Sequence, residues 1–371
     1  MSFSMGVSRT SEAAETARQG RHLTPKKSAR RVTRGRLALS VVLAVGTAFV
    51  VAALLRGATP AATSFPPADR LQYYLDHSED FDTLFVGTSR VYRGVVPREF
   101  DARMAQLGMP TRSLNLGEPG MRGFEIDRLV RFLVKRPTGN LENLFLDLGV
   151  RAPREEKQTH RTVEWHTARQ TLAAVSMSRA LGFEGPERRQ ALLFHLKQFG
   201  MRQSNYGLGP ELWQRMRWQP EVAPAWLSEG GYQSLEAEQG QNFKRRNRRF
   251  LSRLDRYERT VARYRDRPPA ELSPVIEASL ARWIDEALLV QGRGVRPVGL
   301  VSPGYGRLRD LESGGETGPL LLNFDRPALH PDLFEPQSRF DEVHLTAAAA
   351  RRYSTLVAET FVAELRRREN S

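Results

Sequence analysis

Residues 82–90 read DTLFVGTSR, and this nonapeptide decides the fold class. Leu84, Phe85 and Val86 form a short unbroken apolar run closed by Gly87, which is the pattern of a strand covered on both faces. Outward from it, strand-like and helix-like stretches alternate. Residues 98–107 predict a helix and residues 112–116 (RSLNL) a second strand. Residues 123–134 predict a second helix, because Ile126, Leu129, Val130 and Leu133 recur at helical spacing. Residues 143–148 (NLFLDL) give a third strand; residues 296–301 (RPVGLV) and 320–324 (LLLNF) give two more, before a terminal helix over 346–365. Strands separated by helices pair in parallel through right-handed crossovers, so the expected fold is an α/β three-layer sandwich with a mainly parallel sheet.

A large helical insertion, about residues 151–294, interrupts this alternation between the third and fourth strands. Phe250, Leu254, Tyr257, Val261 and Tyr264 step by four and three, as do Ile276, Leu280, Trp283, Ala287 and Val290. Pro268 and Pro269 part the two stripes, which predicts an antiparallel helical hairpin. The arginines of the first stripe read as a solvated face. Trp213, Trp218 and Trp226 lie among glycines and prolines, where they either stack on sugar rings or plug the insertion onto its domain; packing is the expectation.

The chain has 371 residues, 40% of them apolar, so wholesale disorder is excluded. It has no cysteine, which excludes disulfide scaffolds, thiolate nucleophiles and Cys-ligated zinc. The net charge is +14, yet nine basic side chains fall in residues 1–36 against Glu12 and Glu15 alone. Residues 37–55, LALSVVLAVGTAFVVAALL, then run without a charge. At 1.5 Å per residue such a helix reaches roughly 28 Å, the thickness of a bilayer's hydrocarbon core. The basic excess precedes it, so residues 1–36 are expected as a cytoplasmic tail, residues 37–55 as a single transmembrane helix and residues 56–68 (Pro, Ala and Thr) as a linker. Residues 69–371 then form the main domain outside the cytoplasm, in the periplasmic space of a bacterial inner membrane. This removes nucleic acid as a partner and turns the basic surface toward anionic lipid or polysaccharide.

Three segments carry chemistry. Ser89 follows a strand's carboxyl end, the edge where α/β folds place their sites. Asn115-Leu116-Gly117-Glu118-Pro119-Gly120 ends the second strand, and its glycine can offer a backbone N–H to a developing oxyanion. Asp341 and His344 sit three apart before the last helix, where the carboxylate can orient an imidazole that takes the serine proton. His160, His166 and His195 have no carboxylate or Cys at ligand spacing, so no metal and no cofactor is expected.

Taken together, these blocks resemble the SGNH (GDSL-like) hydrolase superfamily over roughly residues 80–150 and 295–365. Gly87-Thr88-Ser89 matches its nucleophile block, residues 115–120 its glycine block and residues 341–344 its C-terminal block. The resemblance implies catalysis by Ser89, His344 and Asp341, with the Ser89 and Gly117 N–H groups as the oxyanion hole. One block departs. The family usually has Gly-x-Asn-Asp after the third strand, where this chain has Gly149-Val150-Arg151-Ala152, which leaves three readings: Arg151 replaces the donor, another segment supplies it, or it is missing. Arg90, beside the nucleophile, is a candidate for holding an acidic sugar's carboxylate, or equally an ion-pair residue of the fold.

The anchor, the outer domain and the insertion are also similar to a membrane-anchored esterase and O-acyltransferase branch. That likeness implies an acyl-ester or glycan substrate, such as acylated polysaccharide or a cell-wall polymer, and a membrane-bound acyltransferase as partner. The alternative is a catalytically silent, anchored scaffold of a polysaccharide export or modification complex, docking through its Arg-rich hairpin.

Overall fold

The computed structural model describes residues 27–136, 139–148, 158–219, 225–267, 271–305, 308–311 and 318–371. The chain divides into two units, Met1–Val51 and Ala52–Ser371. The described part of the first unit is helix α1 (Lys27–Gly57), which continues six residues into the second. Its stretch Arg34–Gly57 contains an 18-residue window of mean hydropathy 2.6 and is long and apolar enough to cross a membrane.

The second unit is α/β. Helix α2 (Ala68–Asp76) leads into strand β1 (Thr83–Val86), then α3 (Ser89–Gly94), α4 (Pro97–Gln106), β2 (Ser113–Asn115), α5 (Gly123–Leu133) and β3 (Asn143–Asp147). The insertion holds α6 (His160–Trp165), α7 (Ala168–Ala180), α8 (Gly185–Ser204), α9 (Gly209–Met216), α10 (Gln241–Leu251), α11 (Leu254–Asp266) and α12 (Pro274–Gln291). Strands β4 (Arg296–Val301) and β5 (Leu320–Asn323) follow, and α13 (Ala347–Glu369) ends the chain. Proline opens α4 and α12, where its missing N–H costs nothing, and Thr346 caps α13 through the Ala349 N–H.

All five strands are parallel, in the order β2-β1-β3-β4-β5, with Leu84 beside both Leu114 and Leu144, and Leu146 beside Gly299. Side-chain alternation splits the core in two. Leu84, Val86, Leu144, Leu146 and Leu321 pack with Leu129 and Val130 of α5 and with Trp283 and Ala287 of α12. Phe85, Phe145, Val298, Leu300 and Leu322 pack with Phe100 of α4 and with Tyr353 and Phe361 of α13. The sheet therefore carries helices on both faces. Gly299 is a contact point, since a Cβ there would meet the Trp283 ring at 2.5 Å.

Two expectations are corrected. Residues 56–68 are not a free linker. Ala61–Ser64 forms a 3₁₀ turn with Ala62 fully buried, and Phe65 lies against Phe132 at 4.6 Å, with the Arg128 guanidinium 4.3 Å from its centroid. The flanking Pro60, Pro66 and Pro67 stiffen the segment, and one aromatic anchor is then enough to seat it. The two apolar stripes of the insertion also do not zip into a hairpin. Val261 of α11 packs into the α13 core and Ile276 of α12 into the α5 core, on opposite sides of the sheet. The crossover from β3 to β4 needs a helix to cover β4, and α12 takes that place.

Candidate active site

Strand β1 ends at Val86, and Gly87 brings it against β3. A Cβ at Gly87 would stand 2.5 Å from Asp147 Cβ and from Val91 Cγ2, so only glycine fits. The close approach lets Thr88 donate its N–H (3.1 Å) and its hydroxyl (2.6 Å) to Asp147 Oδ2. Thr88 is also the cap of α3, accepting the Arg90 N–H, and this places Ser89 in the helix's first turn. A first-turn N–H has no intrahelical acceptor, so the Ser89 N–H remains available to a ligand.

The other half of the site comes from the loop before α13. An antiparallel bridge between Arg339 and Leu345, with the Phe340 N–H donating to the His344 carbonyl at 3.0 Å, closes this loop. Inside it, Asp341 Oδ1 accepts the Val343 N–H (2.8 Å) and the His344 N–H (3.0 Å). His344 Nδ1 lies 3.0 Å from both carboxylate oxygens, and His344 Nε2 lies 2.8 Å from Ser89 Oγ. A proton on Nδ1, shared with the carboxylate, leaves Nε2 as a bare acceptor for the serine hydroxyl. Asp341 and His344 are 2% and 5% exposed, so this chain is screened from water. Burial alone would push the Asp341 carboxyl up. The His344 hydrogen bond and charge, the Val343 N–H and the Arg246 guanidinium outweigh it and hold Asp341 below the usual carboxylate range.

Arg246 was not legible as a site residue. It belongs to the arginine run read as a solvated face, yet its Nε lies 2.7 Å from Asp341 Oδ2. Its neighbour Asn247 donates to the Phe340 carbonyl at 2.7 Å, so α10 grips the Asp341–His344 loop at two points. Only the density of arginine in that helix hinted at a partner.

Gly117 does not have the expected place. Its N–H donates to Asn115 Oδ1 at 2.8 Å, and Asn115 Nδ2 bonds the Val91 and Val95 carbonyls of the α3 segment. A Cβ on Gly117 would fall 2.6 Å from the Tyr92 nitrogen. The glycine is there for close approach to α3, and its N–H is already engaged, so it is corrected from oxyanion donor to buttress. Arg151, with Gly149 and Val150, lies outside the described residues. Arg90 lies beside a cavity of about 520 Å³ that Thr88, Ser89, Ile276, Tyr305 and Val343 also line. Its Nη2 is 3.8 Å from Asp147 Oδ1, a buried oxygen that accepts no hydrogen bond from the described residues. Ile276 and Val343 give the cavity an apolar wall close to the serine.

The insertion's histidines also find partners. His166 Nδ1 sits 2.5 Å from the Thr162 carbonyl and His166 Nε2 sits 2.9 Å from His195 Nδ1, both rings fully buried. Burial drives both imidazoles down, His166 to about 3 and His195 to about 4. Of the three tryptophans expected among glycines and prolines, Trp213 lies on α9, Trp226 packs edge-on to Tyr73 at 5.6 Å and Trp218 donates to Asp69. Trp213 is 57% exposed. No family model matches this chain, and no curated protein or solved structure is significantly similar to it.

Proposed function

We propose that this protein is a membrane-anchored serine acyl-transfer enzyme, an esterase or O-acyltransferase with an SGNH-like three-layer sandwich, acting on acylated polysaccharide or cell-wall glycan outside the cytoplasm. The observation that carries the reading is the unbroken chain Ser89 Oγ, His344 Nε2, His344 Nδ1, Asp341, with 2.8 Å and 3.0 Å links. Ser89 Oγ attacks the acyl carbonyl carbon as His344 Nε2 takes its proton. Asp341 stabilises the imidazolium that forms. The Ser89 N–H donates to the oxyanion, and His344 returns the proton to the departing sugar oxygen, leaving the acyl group on Ser89. Water or a second sugar hydroxyl then attacks the acyl-serine, with His344 again as base, which makes hydrolysis and transfer the two outcomes of one intermediate.

The apolar stretch Arg34–Gly57 supports the anchored placement in a bacterial inner membrane, with the basic tail inside. A membrane-bound acyltransferase is the fitting donor partner on that reading. The engaged Gly117 N–H favours the second reading, an anchored scaffold without turnover, because losing one oxyanion donor costs about a hundredfold or more in rate. Labelling of the full chain in membranes with a fluorophosphonate probe separates the two. An active triad gives covalent modification of Ser89 that Ser89→Ala abolishes; an unlabelled wild-type protein sinks the enzyme reading and leaves the scaffold.

A further inference from the structure

Helix α8 buries Ala191, His195, Gln198 and Met201, as a helix docked on one side should. Its other side is apolar too. Leu192, Leu193 and Leu196 are 38%, 67% and 49% exposed. Tyr206, just past the helix, is 69% exposed, and on α9 Trp213 and Met216, one turn apart, are 57% and 41% exposed. Around them stand the exposed cations Arg188, Arg189, Lys197 and Arg217, the last with its guanidinium 4.9 Å from the Trp213 ring centroid. Soluble surfaces scatter such side chains singly; leucines on one helix side with an adjoining tyrosine, tryptophan and basic residues make the composition of an interfacial surface.

The position of this surface names its occupant. The folded unit includes Ala52–Gly57, the last residues of the apolar helix. The α8 cap Asn205 donates Nδ2 to the Ala52 carbonyl at 2.7 Å, and the Arg56 guanidinium donates to Asn205 Oδ1 and the Arg202 carbonyl. The C-terminal end of α8 is therefore fastened where the apolar helix ends. We infer that the exposed apolar side of α8 and α9 docks on the lipid surface, with Trp213 and Tyr206 at headgroup depth and Arg188, Arg189, Lys197 and Arg217 on anionic headgroups. This rests on the reading of α1 as a membrane span. Aromatic rings with a polar edge favour the headgroup region, and arginine and lysine side chains are drawn to an anionic surface.

The chain has no cysteine, so a single introduced one carries a spin label without background. The test places one label at a time through Leu193→Cys, Leu196→Cys or Trp213→Cys in the full chain, reconstituted in nanodiscs of phosphatidylglycerol and phosphatidylcholine. Val45→Cys reports on the span, and Glu369→Cys reports on a water-exposed helix end. The expected result is a ratio of oxygen to nickel-chelate accessibility severalfold higher at 193, 196 and 213 than at 369. Val45 in lipid, with those three as water-accessible as 369, overturns the docking and leaves the anchor standing. Labels shielded from both reagents mean that protein covers the face, which also overturns it. Val45 in water refutes the span itself, and the inference falls with it.

Discussion

Arg246 Nε lies 2.7 Å from Asp341 Oδ2, on the carboxylate that also holds His344 Nδ1 at 3.0 Å. The carboxylate is thus gripped from its own loop and from α10, which is inserted nearly a hundred residues earlier in the chain. The insertion is part of the site, and what it supplies is the setting of the aspartate.

Removing that grip tests it. Arg246→Gln is expected to slow acylation of Ser89 about tenfold, equivalent to about 1.4 kcal/mol of barrier, with KM nearly unchanged. Arg246→Lys should recover part of the loss, because a cation returns without the fork geometry. Stopped-flow labelling with an activated ester separates the acylation rate from binding; an equal rise in KM would point to a substrate contact instead.

The triad should behave as a unit. Ser89→Ala and His344→Ala should each remove as much turnover as the double change, about 10⁴-fold or more, and Asp341→Asn should cost less. Additive losses in a double-mutant cycle would break the scheme. Asp341→Ala is a different matter. It leaves the Val343 and His344 N–H groups without their acceptor in a buried loop, so it should lower Tm, which Asn at that position spares by keeping one oxygen.

The buried histidine pair predicts acid lability. His166 and His195 titrate near 3 and 4 in the folded protein, with burial the main cause, against 6.5 when unfolded. Between those limits the unfolded chain binds protons that the folded chain refuses. Stability is therefore complete above about pH 6.5 and falls as pH drops, by about 1.4 kcal/mol per unit for each ring. Asp341, held low, keeps its contribution until pH falls into the ordinary carboxylate range, so it adds nothing to the slope between pH 6.5 and 5. Thermal melts of wild type and of the His166→Asn, His195→Gln double variant should show a steep slope between pH 6.5 and 5 in the first and a shallow one in the second.

Gly231 lies against β2, the edge strand of the sheet. Its φ is +94°, and a Cβ would stand 2.4 Å from the Asn115 carbonyl, while Asn115 donates its N–H to Gly230 at 2.8 Å. Gly231→Ala should lower stability by roughly 1–3 kcal/mol from the backbone alone, more with the overlap. A shift of the urea midpoint checks it, and an unchanged midpoint would contradict the contact.

Much of this was legible locally. The apolar runs at Leu84–Val86, Leu144–Leu146 and Val298–Val301 became β1, β3 and β4 within a residue or two, because period and punctuation by glycine and proline are read over a few residues. The Asp341–His344 pair is likewise local, three residues apart on one loop, and the uncharged run 37–55 needed only its length. What tertiary structure decided is everything that joins distant segments. Ser89 and His344 are 255 residues apart, and only the parallel order β2-β1-β3-β4-β5, with α13 returning over the sheet, sets them 2.8 Å from each other. The same packing tied Gly117's N–H to Asn115, turned one arginine of a charge run onto Asp341, hid His166 against His195 and left Trp213 outside while seating Trp226. A residue's type limits the bonds it can make, and the crossovers determine which partner arrives, since burial removes water as the alternative partner only after the chain has folded.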